Sequence, residues 1–270
     1  MLFSILIAHF NNYNYFLDCY KSILEQSYQN FEVVIVDDCS TDDSFEKITK
    51  LTESDTRFKL FRNEKNSGVG FTKRKCVELA TGEICGFVDP DDALVPNALE
   101  VSLKNHTGHN AVAYSSFVLC DQNLKPQKKF PHSRAVKNKD KIFFNVLLEA
   151  NHFFTFKKSA YDKTSGINPE LTSAVDQDLY LKLYEIGDFK FIQEPLYLYR
   201  LHANGVSQDS SKKTKLSENW QSVILKTLER RNIKTLYGKN IYEINNLPAF
   251  ILKKQNTFLK KIQRKLQKWI

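Results

Sequence analysis

The sequence is poor in the residues that would take it out of the globular class. It has nine Gly and seven Pro in 270 residues, which excludes collagen-like, linker-like and low-complexity chains. Nowhere do 18 apolar residues run together, and the opening MLFSILIAHFNNYN has neither a basic leader nor a small-residue cleavage site. Neither a transmembrane span nor a secretory signal is therefore expected. The five cysteines (Cys19, Cys39, Cys76, Cys85, Cys120) are odd in number, widely spaced and never arranged CxxC. Reduced thiols in a cytoplasmic protein fit that spacing better than a disulfide framework or a zinc site. Apolar residues at 42% and charged residues at 26% are ordinary for an enzyme with a real core.

Charge is unevenly placed. The formal net charge is +8, yet residues 212–270 hold 15 Lys and Arg against three acids, Glu218, Glu229 and Glu243. The preceding 211 residues are mildly acidic as a consequence. A uniformly basic nucleic-acid binder would not divide its charge this way, and no nucleic-acid partner is expected.

The first 120 residues alternate strand and helix signals. Apolar runs at Phe3–Ala8, Phe31–Val36, Arg57–Phe61, Ile84–Val88 and Ala111–Leu119 read as strands. Phe16 to Leu24, Asp42–Leu51 and Thr72–Ala80 read as helices, with Ser40 or Asp42 available as a cap and Gly82 as a stop. Short buried strands alternating with helices imply βαβ units and a mostly parallel sheet, the α/β class. Ligands in such sheets bind beyond the carboxyl ends of the strands. Those ends carry His9-Phe10-Asn11-Asn12, Asp37-Asp38 and Asp89-Pro90-Asp91-Asp92. Residues 121–157 are less regular, Asp176–Ile186 reads as an amphipathic helix, and Phe189–Ile192 and Leu196–Leu201 read as two further strands.

Two clusters bear on chemistry. Carboxylates packed as in Asp89-Pro90-Asp91-Asp92 repel one another unless a hard cation or a set of N–H donors shares the site. Mg²⁺ and Mn²⁺ favour one or two carboxylates plus substrate phosphates and water. The plainer alternative is a solvated turn in which Asp91 or Asp92 caps a helix near Pro96. A carboxylate of Asp37-Asp38 can accept the imide N–H of a uracil or thymine ring, or can belong to a helix-capping run.

In combination these features become specific. The order of FNNYN, VVIVDDCSTDDS, NSGVG, a helix ending in ATGE, FVDPDD, VDQDLYLKL and LYLYRLHANGVS resembles glycosyltransferase family 2 over residues 1–207. The resemblance implies a GT-A fold and inverting transfer of a sugar from a nucleotide sugar, with a divalent metal, Mn²⁺ or Mg²⁺, as cofactor. It divides residues 1–207 into a nucleotide-sugar-binding part, 1–120, and an acceptor-binding part, 121–207; beyond the resemblance, charge and periodicity mark residues 208–270 as a basic helical extension. Ala8, Phe10 and Asn11 match the opening motif, with Phe10 stacking near the base and Asp38 contacting it. Asp89 and Asp91 match the Asp-x-Asp metal motif, Asp91 as the direct ligand, with His202 a third candidate ligand. Lys73 and Arg200 match positive charges at the diphosphate, and Asp176 matches the general base. Three positions depart from the family pattern. Ala8-His9-Phe10-Asn11 replaces Pro-x-Tyr-Asn, Thr72-Lys73-Arg74 replaces Ala-Arg-Asn, and Val175 stands where Glu is usual. Lys73 keeps a charge but lacks the bidentate fork of Arg.

A dehydrogenase needs GxGxxG after its first strand, where this chain has HFNNYN. A nucleotidylyltransferase expects a Gly-rich, Arg-containing loop there. A non-catalytic nucleotide-sugar or glycan-binding module of the same fold is the remaining alternative, against which Asp38, Asp89, Asp91 and Asp176 stand together. Family members commonly build surface glycans, so the expected acceptor is a glycan or a lipid-linked glycan. Within the tail, Ile251, Phe258, Ile262, Leu266 and Trp269 make one helical stripe, and seven Lys and Arg cover the remainder. That pattern suits an anionic membrane surface at the cytoplasmic face, or packing on the protein itself.

Overall fold

The computed structural model describes residues 1–202 and 213–257. From the amino terminus the chain alternates β1 (Phe3–His9), α1 (Tyr13–Leu24), β2 (Phe31–Asp37), α2 (Ser44–Thr52), β3 (Phe58–Arg62), α3 (Val69–Leu79) and β4 (Ile84–Phe87). There follow β5 (Ala93–Leu94), α4 (Ala98–Lys104), β6 (Asn110–Cys120), β7 (Pro126–Lys129), β8 (Phe154–Lys157), the one-turn α5 (Lys158–Tyr161), α6 (Val175–Tyr184) and β9 (Asp188–Arg200). The C-terminal part adds α7 (Lys213–Arg230), a small hairpin of β10 (Thr235–Leu236) and β11 (Lys239–Asn240), and α8 (Leu247–Gln255).

One sheet runs β3-β2-β1-β4-β8-β6-β9-β5, with β7 attached to β6. The expected α/β architecture is what forms. β3, β2, β1 and β4 are mutually parallel, and β6 and β9 are parallel to each other. Helices cover both faces of the first half, which is why β1 and β2 are near-continuous apolar runs. Alternation survives within them. Leu6, Val34 and Val36 pack with Cys76 and Val77 of α3 and Leu179 of α6, while Ile5, Ile7, Val33 and Ile35 pack with Phe16 and Ile23 of α1 and Ile48 of α2.

Several local expectations change. The two strands expected at 189–201 are one strand, β9, whose register against β6 jumps between Ile192 and Pro195. Pro195 has no N–H to give the ladder, so an irregularity there costs little. β8, inside the segment that looked irregular, inserts antiparallel between β4 and β6. Ser40 does not cap α2; its hydroxyl donates to Asp37 Oδ2, and Asp42 Oδ1 accepts from Ser44 N instead.

The buried Glu32 of β2 ties three elements together. Its carboxylate accepts from Ser4 Oγ, Thr81 N, Thr81 Oγ1 and Lys59 Nζ at 2.6–2.9 Å. Burial works to raise this carboxyl, but the Lys59 ammonium and the hydrogen bonds outweigh it and bring the group from 4.5 down to about 2. A depressed carboxyl contributes stability above its unfolded value and loses it as pH falls through its folded value. Glu32→Gln is therefore expected to cost about 2–3 kcal/mol at pH 7. It should also flatten the wild-type loss of stability between pH 4.5 and 2, read by urea unfolding across that range. Parallel pH curves for the two proteins would refute the assignment.

The C-terminal part has its own small apolar core of Ile224, Leu228, Leu236, Ile241, Leu247 and Ile251 against Phe144 and Val146. Arg231 sews it to the rest of the fold by donating to the carbonyls of Lys141 and Phe143 and pairing with Glu185. Of the apolar stripe expected in the tail, Ile251 is fully buried in this core. Phe258, Ile262, Leu266 and Trp269 lie outside the described residues. No helix among the described residues is long and apolar enough to cross a membrane.

Candidate active site

Parallel strands deliver their carboxyl ends to one edge of the sheet. β1 and β2 end in register at His9 and Asp37, and main-chain bonds continue the alignment: Asp38 N donates to His9 O and Asn63 N to Asp37 O, both at 2.8 Å. The loops after β1, β2, β3 and β4 thus meet along one rim, the place where open α/β sheets bind ligands.

Most polar groups of the first two loops are engaged with one another. Asp37 is fully buried and accepts from His9 Nδ1 at 3.1 Å and from Ser40 N and Oγ at 2.8 and 2.5 Å. Burial works to raise its carboxyl, but the His9 and Ser40 bonds hold it below the ordinary value. Asn11 sits in the left-handed region at φ 48° and uses its side chain to accept from Thr41 N and donate to Thr41 Oγ1. Ala8 lies within β1, paired with Val36, and Phe10 is left 42% exposed on the rim. Asp38 anchors the loop after β3: Asn63 Nδ2 and Ser67 N donate to Oδ1, and Gly68 N to Oδ2, all at 2.8 Å. Asp38 itself is only 5% exposed.

Two glycines of NSGVG place α3. Gly68 at φ +86° makes the turn into the helix in a region that favours glycine. At Gly70 a Cβ would stand 2.5 Å from Leu171 O and 2.7 Å from Asn168 O. Only glycine lets α3 lie directly on the loop that leads to α6, and Gly70 N donates to Leu171 O there at 3.0 Å. This approach brings Lys73 of α3 to Asp176 of α6. Lys73 Nζ lies 2.9 Å from Asp176 Oδ1 and 3.0 Å from Asp89 Oδ1, in a side chain only 6% exposed. Burial alone would lower the Lys73 ammonium, but Asp176 and Asp89 together raise it well above its usual range. Burial likewise pushes the Asp89 carboxyl up, and the charges of Lys73 and His152 bring it below the usual range. Asp176 does not cap α6; the capping position is Ala174, and the Asp176 carboxylate turns to Lys73.

The acidic turn after β4 is held by β9. Asp92, 2% exposed, accepts from Tyr197 OH and Arg200 N at 2.8 Å, and the same Tyr197 hydroxyl accepts from Asp89 N. Burial, with the charges of Asp91 and Asp89, pushes the Asp92 carboxyl well above its usual value. Neither Asp91 nor Asp92 caps a helix. The Arg200 guanidinium, 2% exposed, donates to the carbonyls of Asp91 and Gln122 and to Asp18 Oδ2. As placed here it clamps the turn to β9 and α1 and does not open onto the rim. His202 Nε2 lies 2.8 Å from Asp91 Oδ2, and its buried Nδ1 has no hydrogen-bond partner among the described residues. Tyr15 of α1 stands between the two, its ring 4.5 Å from His202 and 4.7 Å from the Arg200 guanidinium carbon. Tyr15, Asp18 and Tyr197 carried no local sequence signal of these roles, whereas Asp92 belonged to the acidic cluster that the sequence does show.

Asp91 and His202 form a two-residue oxygen–nitrogen donor pair. Among the described residues no group of three or more His, Cys, Asp or Glu side chains is placed to hold a metal ion. Such a pair fits Mn²⁺ or Mg²⁺ completed by substrate phosphate and water, and does not fit a closed structural zinc site. The five cysteines are free thiols; burial pushes Cys76 and Cys85 up to about 12, which keeps them unreactive.

The chain belongs to glycosyl transferase family 2, whose family model matches residues 4–165. Escherichia coli chondroitin synthase is 29% identical over 257 residues, which is 94% of this chain and 36% of that protein. The chain thus spans about a third of that relative's length. Among solved structures, S. aureus TarS 1–349 in complex with UDP-GlcNAc matches with a TM-score of 0.68 at 20% identity, covering 84% of this chain and 67% of that one. The mannosyltransferase PcManGT from Pyrobaculum calidifontis, in complex with GDP-Man and Mn²⁺, matches with a TM-score of 0.64 at 13% identity, covering 98% and 79%. The fold is the GT-A fold of these transferases.

Proposed function

We propose that this chain is an inverting, metal-dependent glycosyltransferase. It moves a sugar from a UDP-linked donor to a hydroxyl of a glycan or lipid-linked acceptor in surface polysaccharide synthesis. The observation that carries this reading is the convergence of Asp89 and Asp176 on the Lys73 ammonium, together with the Asp91–His202 pair. Donor-side acids and a second-half carboxylate share one rim, as transfer between two substrates requires.

The roles follow from charge. The exposed ring of Phe10 offers a stacking face for the base, and Asp38, whose carboxylate holds the loop after β3, is the acceptor for its imide N–H. Asp91 and His202 would hold the cation, with Asp89 beside it. When bound, Mn²⁺ or Mg²⁺ neutralises charge developing on the leaving diphosphate. Lys73 adds a fixed positive charge at that diphosphate, and Arg200 keeps the acidic turn in place. An acceptor hydroxyl does not ionise at pH 7, so Asp176 takes its proton as the oxygen attacks the anomeric carbon from the face opposite the diphosphate. The complexes of the structural neighbours with UDP-GlcNAc and with GDP-Man and Mn²⁺ support a nucleotide-sugar donor and a divalent cation, and the likeness to chondroitin synthase supports a polysaccharide product.

A panel of nucleotide sugars incubated with Mn²⁺, scored for release of the nucleoside diphosphate, tests the reading. Release from one donor, stimulated by a glycan acceptor, is the expected result. Donor binding without release would make the chain a binding module. At the C-terminal part, Leu216 and Leu252 stand 40% and 38% exposed around an apolar cavity of about 300 Å³, beside the exposed Lys253 and Lys254. That combination supports peripheral contact with an anionic membrane carrying the acceptor, read by co-sedimentation with anionic but not neutral liposomes.

A further inference from the structure

Lys73 is matched above to the donor's phosphates, but its geometry points to a second task. An ammonium has three N–H donors. Two are taken, one by Asp89 Oδ1 at 3.0 Å and one by Asp176 Oδ1 at 2.9 Å. The third is the one available to a phosphate oxygen. The ammonium also sits over the ring of Phe87 at 5.2 Å, which closes one side of its surroundings. Lys73 and Asp176 lie 103 residues apart in sequence, so something other than local structure must fix their separation.

The connection is rigid on both sides. α3 touches the loop before α6 through Gly70, and Arg74, next to Lys73, donates to the carbonyls of Ser165 and Ile167. That loop is fastened to α6 by Asp178, whose Oδ2 accepts from Asn168 N at 2.8 Å and from Lys182 Nζ at 2.7 Å. α3 and the first turn of α6 are therefore tied through one loop. Lys73 holds Asp176 by Oδ1, whereas Oδ2 has no hydrogen bond among the described residues, in a side chain 34% exposed.

We infer that Lys73 is a positioning residue for the base: by pinning Asp176 Oδ1 it presents Oδ2 to the acceptor hydroxyl and ties the base to the donor-side Asp89. This rests on the reading of Asp176 as the base. The same ammonium reaches donor acid, base and diphosphate, so the base is aligned with the leaving group it must oppose. A misplacement of the order of 1 Å at a reacting group costs about 10²-fold in rate, so a pinned oxygen matters.

A double-mutant cycle separates this from a role at the donor alone. Lys73→Met, which keeps the length of the stem, and Lys73→Gln, which keeps one donor group, are made in the wild type and in Asp176→Asn. Thermal melting and donor binding confirm that each protein is folded. A donor-only role raises the donor KM and lowers kcat by the same factor in both backgrounds. The expected result is a kcat loss of about tenfold or more at saturating donor in the wild type, shrinking to under about threefold in Asp176→Asn, with the KM increase retained. Equal kcat losses in the two backgrounds would overturn the inference and leave the base reading standing. Near-normal transfer by Asp176→Asn alone would remove the base reading, and this inference with it.

Discussion

Asp176→Asn is expected to lose transfer by roughly two orders of magnitude or more while binding donor about as well as the wild type. Asn matches Asp in size and can still offer Oδ1 to the Lys73 ammonium that the carboxylate meets at 2.9 Å. It cannot accept the acceptor's proton, so the loss should fall on kcat. Base assistance is typically worth about 10²–10⁴-fold, which sets the size. The alternative for an acid in the first turn of a helix is capping or a favourable dipole interaction. The structure argues against the first, because α6 has Ala174 at its capping position and no side-chain cap. Substitution by Asn would then be nearly silent in transfer, and single-turnover rates with saturating donor distinguish the two outcomes. A normal rate would return Asp176 to a purely electrostatic partner of Lys73.

Legibility in the sequence followed the range of the interactions. The strands at Phe3–Ala8 and Phe31–Val36 were readable because helices cover both faces of β1 and β2, leaving continuous apolar runs with few alternatives. β8 was missed for the opposite reason: its four residues sit beside 121–152, where turns and loops outnumber regular elements, and its place between β4 and β6 is set by tertiary pairing. The split of β9 came from Gln193-Glu194-Pro195, which looks like a break and proves to be a register jump within one strand. At the site, the acids of 89–92 were visible as a cluster, but their division of labour was not. Asp92 turns inward to Tyr197 and Asp91 outward to His202, a distinction that only β9 imposes. Arg200 read as a phosphate ligand from its motif, and burial of its guanidinium against α1 is invisible without the fold. Gly70 was legible only as part of a glycine-containing motif; that its missing Cβ is what joins Lys73 to Asp176 follows from the approach of Leu171.

The second large effect is expected at Asp91. Asp91 and Asp89 are close in sequence yet sit in different electrostatic settings, and their substitutions should fail differently. Asp91 is partnered by a neutral-capable imidazole at 2.8 Å, whereas Asp89 is held by the Lys73 ammonium at 3.0 Å. Asp91 and His202 would both serve as ligands of a divalent cation, the imidazole carrying its proton on Nδ1 so that Nε2 is free to bind. Drawing Asp89 away from Lys73 costs more, since its carboxyl is already stabilised below the usual range after burial is overcome. Asp91→Ala should therefore abolish most metal binding and lower transfer by about 10²–10³-fold, the scale of losing a preorganised electrostatic contact at a developing charge. Asp89→Ala should instead raise the donor KM and leave measurable Mn²⁺ affinity. Mn²⁺ titration of the protein with UDP, followed by the loss of the free-ion EPR signal, reads the metal without turnover. Chelation should stop the wild-type reaction and Mn²⁺ or Mg²⁺ restore it. Either full turnover in chelator or unchanged Mn²⁺ binding by Asp91→Ala would mean that the Asp91–His202 pair is only a structural hydrogen bond, and full turnover in chelator would leave the charge on the leaving diphosphate to Lys73.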